Sequence, residues 1–194
     1  MNRRMLLICA CIFLVPSVAI SQPKKTPPIT PRWMLEQVVW EDSSNTQGAS
    51  LRLVDLYLKH QMPVGSIIID SPWSMAYNDF TWNTARYPNA TEMIRDFNKK
   101  HVKVILWLTG CINLQSKDVP VQKHPAFDEV IEKKYVVNDG KISKWWKGEG
   151  LHLDFTNKEA VKWWNAQLDK VTIDGVYGFK VDQGEIYFGD TVHT

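Results

Sequence analysis

Apolar and polar positions along this chain alternate between two rhythms. Residues 35–40, 64–70, 102–108 and 178–182 are short apolar runs, and each reads as a β-strand. Val64-Gly65-Ser66-Ile67-Ile68-Ile69 is apolar almost throughout, as expected for a parallel strand covered on both faces. Between these runs the spacing changes to that of amphipathic helices. Residues 48–60 carry apolar positions at Leu51, Val54 and Leu58. A helix after Asn89 buries Met93, Ile94 and Phe97, with Asn89 and Glu92 placed as a capping box. Residues 158–171 place Val161, Trp164, Leu168 and Val171 on one stripe.

Strand and helix in repeated alternation predict a parallel α/β fold. The segment 109–150 is less regular. It predicts a helix over 124–134, a hairpin turn at Asn138-Asp139-Gly140, and a short strand over 151–155. A doubly wound sheet is the competing architecture. The turn after the first strand, Glu41-Asp42-Ser43-Ser44-Asn45, lacks the Gly-x-Gly that commonly announces a cofactor in such sheets.

Two predicted strands finish in an acid, Asp70 and Asp182, and a third places Trp107 near its end. Strand C-termini are where a (β/α) barrel assembles its site. Strand alternation sets Lys180 and Asp182 on one face, with Phe179 and Val181 on the other. A cation beside a carboxylate favours the ionised form, which a nucleophile requires. On spacing alone, Asp182 reads equally as a structural acid paired with Lys180. Of the 9 tryptophans, Trp164 belongs to a helix stripe. Trp40, Trp73, Trp107 and Trp146 fall at strand ends or in the loops that follow. Aromatic rings suit the flat C–H faces of sugars, so four at one end of a sheet favour a sugar site.

The start of the chain alters the picture. Arg3 and Arg4 precede an apolar run ending at Ala19-Ile20-Ser21, the pattern of a secretory signal over residues 1–21. The run is shorter than a membrane span of ~20 residues. Residues 22–32 form a Pro-rich tether. The expected location is secreted or periplasmic, with no membrane attachment after signal cleavage. Without Arg3 and Arg4 the remainder carries no net charge, which argues against nucleic acid as a partner. Cys111 is then the sole cysteine, so no internal disulfide forms. The five histidines make no His-x-His or His-Glu-x-x-His element, which argues against a metal hydrolase built on one.

Five motifs in order complete the reading. They are Ser66-Ile67-Ile68-Ile69-Asp70-Ser71-Pro72-Trp73, Val104-Ile105-Leu106-Trp107, Trp146-Lys147-Gly148-Glu149-Gly150, Leu153-Asp154-Phe155-Thr156-Asn157 and Gly178-Phe179-Lys180-Val181-Asp182. Together they resemble glycoside hydrolase family 31, retaining α-glycosidases built on a (β/α)8 TIM barrel. The resemblance implies a partial barrel over residues 33–194, about its first four β/α units. It makes Asp182 the nucleophile with Lys180 beside it, and Asp70 the holder of sugar hydroxyls. Trp107 and Trp146 become subsite walls, with Trp73 next to them. The substrate implied is an α-linked oligosaccharide or glycoside.

In that family the general acid/base is an Asp well past the nucleophile. Downstream of Asp182 the only acids are Glu185 and Asp190. The acid/base is therefore expected to be missing here, and turnover by this chain alone negligible. Open edges on the first and fourth strands would allow self-association with a second copy. A non-catalytic carbohydrate-binding protein, or an inactive gene fragment, is the alternative expectation.

Overall fold

The computed structural model describes residues 29–182. The predicted signal, most of the tether, and the acids Glu185 and Asp190 lie outside the described residues. A short 3-10 turn, Arg32–Leu35, leads into β1 (Gln37–Glu41), slightly later than the predicted first strand. The remaining parallel strands are β2 (Val64–Ile69), β3 (Lys103–Leu108) and, last in the chain, β7 (Gly178–Val181). Helices α1 (Gln47–Lys59), α2 (Ala90–Lys99) and α4 (Lys158–Thr172) make the crossovers. The sheet order is β1-β2-β3-β7, with every pairing parallel. This is the partial α/β barrel that the alternating pattern predicts.

Alternation within the strands separates two faces. Val39, Ile67, Ile69, Val104, Leu106 and Leu108 point to the helices and join Val54, Met93, Ile94, Phe97, Trp164 and Val171 in one core. Each such side chain contributes roughly 1.5–3 kcal/mol on burial. The opposite face carries Trp40, Asp70, Trp107, Lys180 and Asp182. Among the described residues the sheet does not close. Its edge strands leave Val38 and Trp40 on β1, and Val181 on β7, exposed.

The helices are locally encoded. Thr46 Oγ1 accepts from Ala49 N at the start of α1, and Asn157 Oδ1 accepts from Glu159 N and Ala160 N at the start of α4. Such caps satisfy amide groups that the helix leaves free. Asn89 is the N-cap residue of α2, but the predicted side-chain cap is not formed. Its backbone N–H is instead taken by Gln47 Oε1 at 2.8 Å, which ties α2 to α1.

The irregular segment folds as a three-stranded antiparallel sheet inserted between β3 and α4. It contains β4 (Cys111–Ser116), α3 (Phe127–Glu132), β5 (Ser143–Trp145) and β6 (Gly148–His152), in strand order β4-β6-β5. The predicted hairpin at residues 136–142 is not formed. Asn138, Asp139 and Gly140 do turn with positive φ, but Val136 bridges to Leu153. The true hairpin turns at Trp146-Lys147, where Trp145 pairs with Gly148. Gly148 has φ +149°, and a Cβ there would run into the carbonyl of Gln115. Only glycine fits that close approach. Thr109 and Gly110 alone separate β3 from β4, so the small sheet sits directly at the C-terminal end of the large one.

Candidate active site

Parallel register brings the strand-end residues together. Trp107 on β3 pairs with Lys180 on β7, and Ile69, just before Asp70, pairs with Leu106. Asp70 is 5% exposed and fully engaged. Its Oδ1 accepts from Ser71 N at 2.7 Å. Its Oδ2 accepts from Trp40 Nε1 at 2.7 Å and from Lys180 Nζ at 2.8 Å. A buried carboxylate needs donors of this kind, and here two of them come from other strands.

Lys180 joins the two acids. Its Nζ is 2.8 Å from Asp70 and 3.6 Å from Asp182, and lies 4.8 Å above the Trp40 ring. Burial pulls the ammonium's pKa down. The hydrogen bond and charge of Asp70, followed by the charge and hydrogen bond of Asp182, outweigh burial and raise it. Lys180 therefore remains a cation across the physiological range. Lys180 and Asp182 share a face as alternation predicted, while Phe179 packs into the core.

Asp182 immediately follows β7. Its backbone N–H donates to Leu108 O at 2.9 Å, extending the β3–β7 ladder to the acid itself. Its Oδ2 accepts from Trp107 Nε1 at 2.8 Å. Lys180 and Trp107 Nε1 thus hold the Asp182 carboxylate on the same face as Asp70.

The tryptophans divide into three kinds. Trp146 is 46% exposed and packs edge-on against Trp145, so its ring is available at the rim. Trp107 is 3% exposed. The expected wall is therefore covered, and what Trp107 presents to the site is its N–H. Trp73 is 2% exposed and packs on Phe80 and Trp82. Its Nε1 donates to Trp107 O at 2.8 Å. The loop after β2 folds the Trp73 ring into the core, where its N–H supports the Trp107 backbone.

Several contributors escaped sequence reading. Trp40 was legible as an aromatic at a strand end but not as a partner of Asp70, to which it donates while keeping half its surface exposed. Strand pairing between β1 and β2 was the missing information. Tyr77, Asn113 and Trp145 sit in irregular segments where no period marks a face. Asn78 lies in the same aromatic loop. Its Oδ1 accepts from Thr109 N, and its Nδ2 donates to Thr109 Oγ1 and Cys111 O, anchoring the β3–β4 junction. Buried His124 completes this anchor. Its Nδ1 accepts from Ala126 N, and its Nε2 pairs with Asn78 O. Burial lowers its pKa to about 4, so it is neutral at pH 7.

Among the described residues no group of three or more His, Cys, Asp or Glu is placed to hold a metal ion. No described helix is long and apolar enough to cross a membrane.

Four parallel strands, two of them followed by the site carboxylates Asp70 and Asp182, define the chain as part of a barrel-type α/β fold with a polar site at the strand ends. The TIM-barrel domain model of glycosyl hydrolases family 31 matches residues 27–193, and the chain belongs to this family. It is 30% identical over 168 residues to the α-xylosidase XylQ of Lactiplantibacillus pentosus, covering 81% of this chain and 21% of that protein. It is 28% identical over 148 residues to the myogenesis-regulating glycosidase of Mus musculus, covering 73% of this chain and 20% of that protein. The chain thus spans about a fifth of the length of these curated relatives. Among solved structures, a cycloalternan-degrading enzyme of Trueperella pyogenes in complex with a covalent intermediate superposes with a TM-score of 0.71 at 20% identity. That match covers 87% of this chain and 27% of the other.

Proposed function

We propose that this chain carries the nucleophile side of a retaining α-glycosidase site, with Asp182 as the nucleophile. The observation that carries the reading is the pairing of two strand-end carboxylates through Lys180, one pinned and one presented. Asp70 is held by three donors and receives sugar hydroxyls. Asp182, held by Trp107 Nε1, attacks the anomeric carbon. A C–O bond forms to the carboxylate while the bond to the leaving oxygen breaks, giving a covalent glycosyl-enzyme intermediate. The leaving oxygen takes a proton from a second carboxyl, which the family resemblance places well past Asp182. Trp40 and Trp146 offer exposed rings to the sugar faces.

The substrate class is an α-linked glycoside, in keeping with the α-xylosidase and glycosidase names of the relatives. Export through residues 1–21 would place the activity outside the cytoplasm. No metal or organic cofactor takes part in this chemistry.

The test is intact-mass analysis after incubation with an activated 5-fluoro-α-glycosyl fluoride. Fluoride leaves without needing a proton donor, so the experiment isolates the nucleophile from its acid partner. The expected result is one added glycosyl mass on the wild-type chain and none on Asp182→Ala. Saturable sugar binding with no adduct would support a non-catalytic carbohydrate-binding protein instead.

A further inference from the structure

The group that touches Asp182 from β3 is itself held by the small sheet. Trp107 is stacked with Trp145, the two rings 6.3 Å apart and 12° from parallel. Tyr77 meets both edge-on, at 5.7 Å from Trp107 and 5.4 Å from Trp145. These separations and angles match the favourable offset-stacked and T-shaped arrangements of aromatic pairs. The four buried residues Tyr77, Trp107, Cys111 and Trp145 form a cluster separate from the main core.

Trp145 is not free to slide within this cluster. Its Nε1 donates to Asn113 Oδ1 at 2.9 Å. Asn113 is completely buried, and its Nδ2 donates to Ser116 Oγ at 2.8 Å. Ser116 Oγ donates in turn to Gln122 O at 2.8 Å. A satisfied buried polar chain of this kind fixes a single arrangement, because each alternative leaves a donor or acceptor unpaired. The stack therefore passes the position of β4 and β5 to the indole of Trp107.

We infer that Trp145 is a positioning residue for the nucleophile: locked by Asn113, it holds the Trp107 ring so that its N–H meets Asp182 Oδ2. Trp145 acts through Trp107, whose ring it stacks against and whose N–H reaches Asp182. This assignment rests on Asp182 being the nucleophile, but its test reads a hydrogen bond and needs no turnover. Among the described residues, the charged groups paired with Asp182 are Lys180 on β7 and, through Lys180, Asp70 at the end of β2. They remain in place when Trp145 is changed.

The structure supplies an internal control. Trp40 Nε1 donates to Asp70 as Trp107 Nε1 donates to Asp182, and Trp40 stands on β1, which β2 separates from β3 in the sheet. The experiment follows the two indole N–H resonances and the two carboxyl carbons by NMR across an acid titration, in wild type, Trp145→Ala and Trp145→Phe. In wild type the Trp107 resonance steps with Asp182 and the Trp40 resonance steps with Asp70. In Trp145→Ala the Trp107 step falls at least about twofold, and the Asp182 pKa rises by about one unit, the worth of one hydrogen bond to a charged group. The Trp40 and Asp70 signals hold. Trp145→Phe keeps a ring against Trp107 and loses the tie to Asn113, and it gives an intermediate effect. Unchanged Trp107 and Asp182 signals in both variants would overturn the inference. Equal loss at Trp40 and Trp107 in both variants would also overturn it, since Trp145 would then support the whole fold. Failure to form a covalent adduct while these shifts appear would strike the nucleophile assignment and leave the positioning intact.

Discussion

The four-stranded parallel sheet and the three-stranded antiparallel sheet meet at Asp182 and contribute in different ways. The parallel sheet brings charge. Asp70, Lys180 and Asp182 come from the ends of β2 and β7, and strand register sets their spacing. The small sheet brings neutral groups: Trp145 and Trp146 from its hairpin, with Asn113 and the Asn78–His124 anchor behind them. Charges at strand ends are fixed by backbone hydrogen bonds, which tolerate little displacement. Aromatic groups on an inserted sheet are fixed by side-chain packing, which a single substitution can loosen. The difference predicts that loss of a charge from the parallel sheet shows as lost stability, and loosening of the Trp145 stack on the small sheet shows as a misplaced nucleophile.

The largest expected effect breaks the charged side. Lys180→Met leaves the buried Asp70 carboxylate without its cation, and stability falls by about 3 kcal/mol. The urea midpoint at pH 7 measures it. Asp70→Asn on the Lys180→Met background should recover part of that loss, because the uncompensated charge is gone. If the single and double variants unfold together, Lys180 is not what holds Asp70.

A smaller effect separates the two regions by pH. His124 is neutral in the fold with a pKa of about 4, against an ordinary value of 6.5. The unfolded chain binds this proton first as pH falls, so stability is complete above about pH 6.5 and drains away between there and pH 4. His124 accounts for about 3 kcal/mol of that loss. Burial also lowers the pKa of His152 on β6, with the same sign. His124→Gln should flatten most of the slope between pH 6.5 and 4.5 in urea melts. An unchanged slope would remove His124 from the account.

The legibility of the two sheets in the sequence differs for the same physical reason as their roles. Parallel strands that pack against helices write themselves as apolar runs, so β2, β3 and β7 were readable, as were the acids at two of their ends. Alternation placed Lys180 beside Asp182 correctly. The small sheet has no such period. β4, Cys-Ile-Asn-Leu-Gln-Ser, mixes polar and apolar positions because Asn113 and Ser116 are buried for hydrogen bonding. Asn138-Asp139-Gly140 looked like a hairpin turn, yet the turn needed at Gly148 was hidden by its tryptophan and lysine neighbours. That Trp73 turns into the core was not legible, because proximity to Asp70 in sequence does not reveal which way a loop folds. Trp40 needed the pairing of β1 with β2 to find its carboxylate.

The smallest structural effect sharpens the contrast on the rim. Trp146→Ala removes a half-exposed ring and should change stability by less than about 1 kcal/mol. The same variant should weaken binding of an α-glycoside several-fold in calorimetric titration. A large stability loss with unaltered binding would make Trp146 a packing residue like its neighbour Trp145.

The most direct measurement is tandem mass spectrometry of the chain after reaction with a 5-fluoro-α-xylosyl or 5-fluoro-α-glucosyl fluoride. The prediction is a single glycosyl ester on the peptide spanning β7, with fragment ions that assign it to Asp182. An ester on Asp70 or any other carboxylate, or no ester at all, would contradict the assignment of Asp182 as the nucleophile.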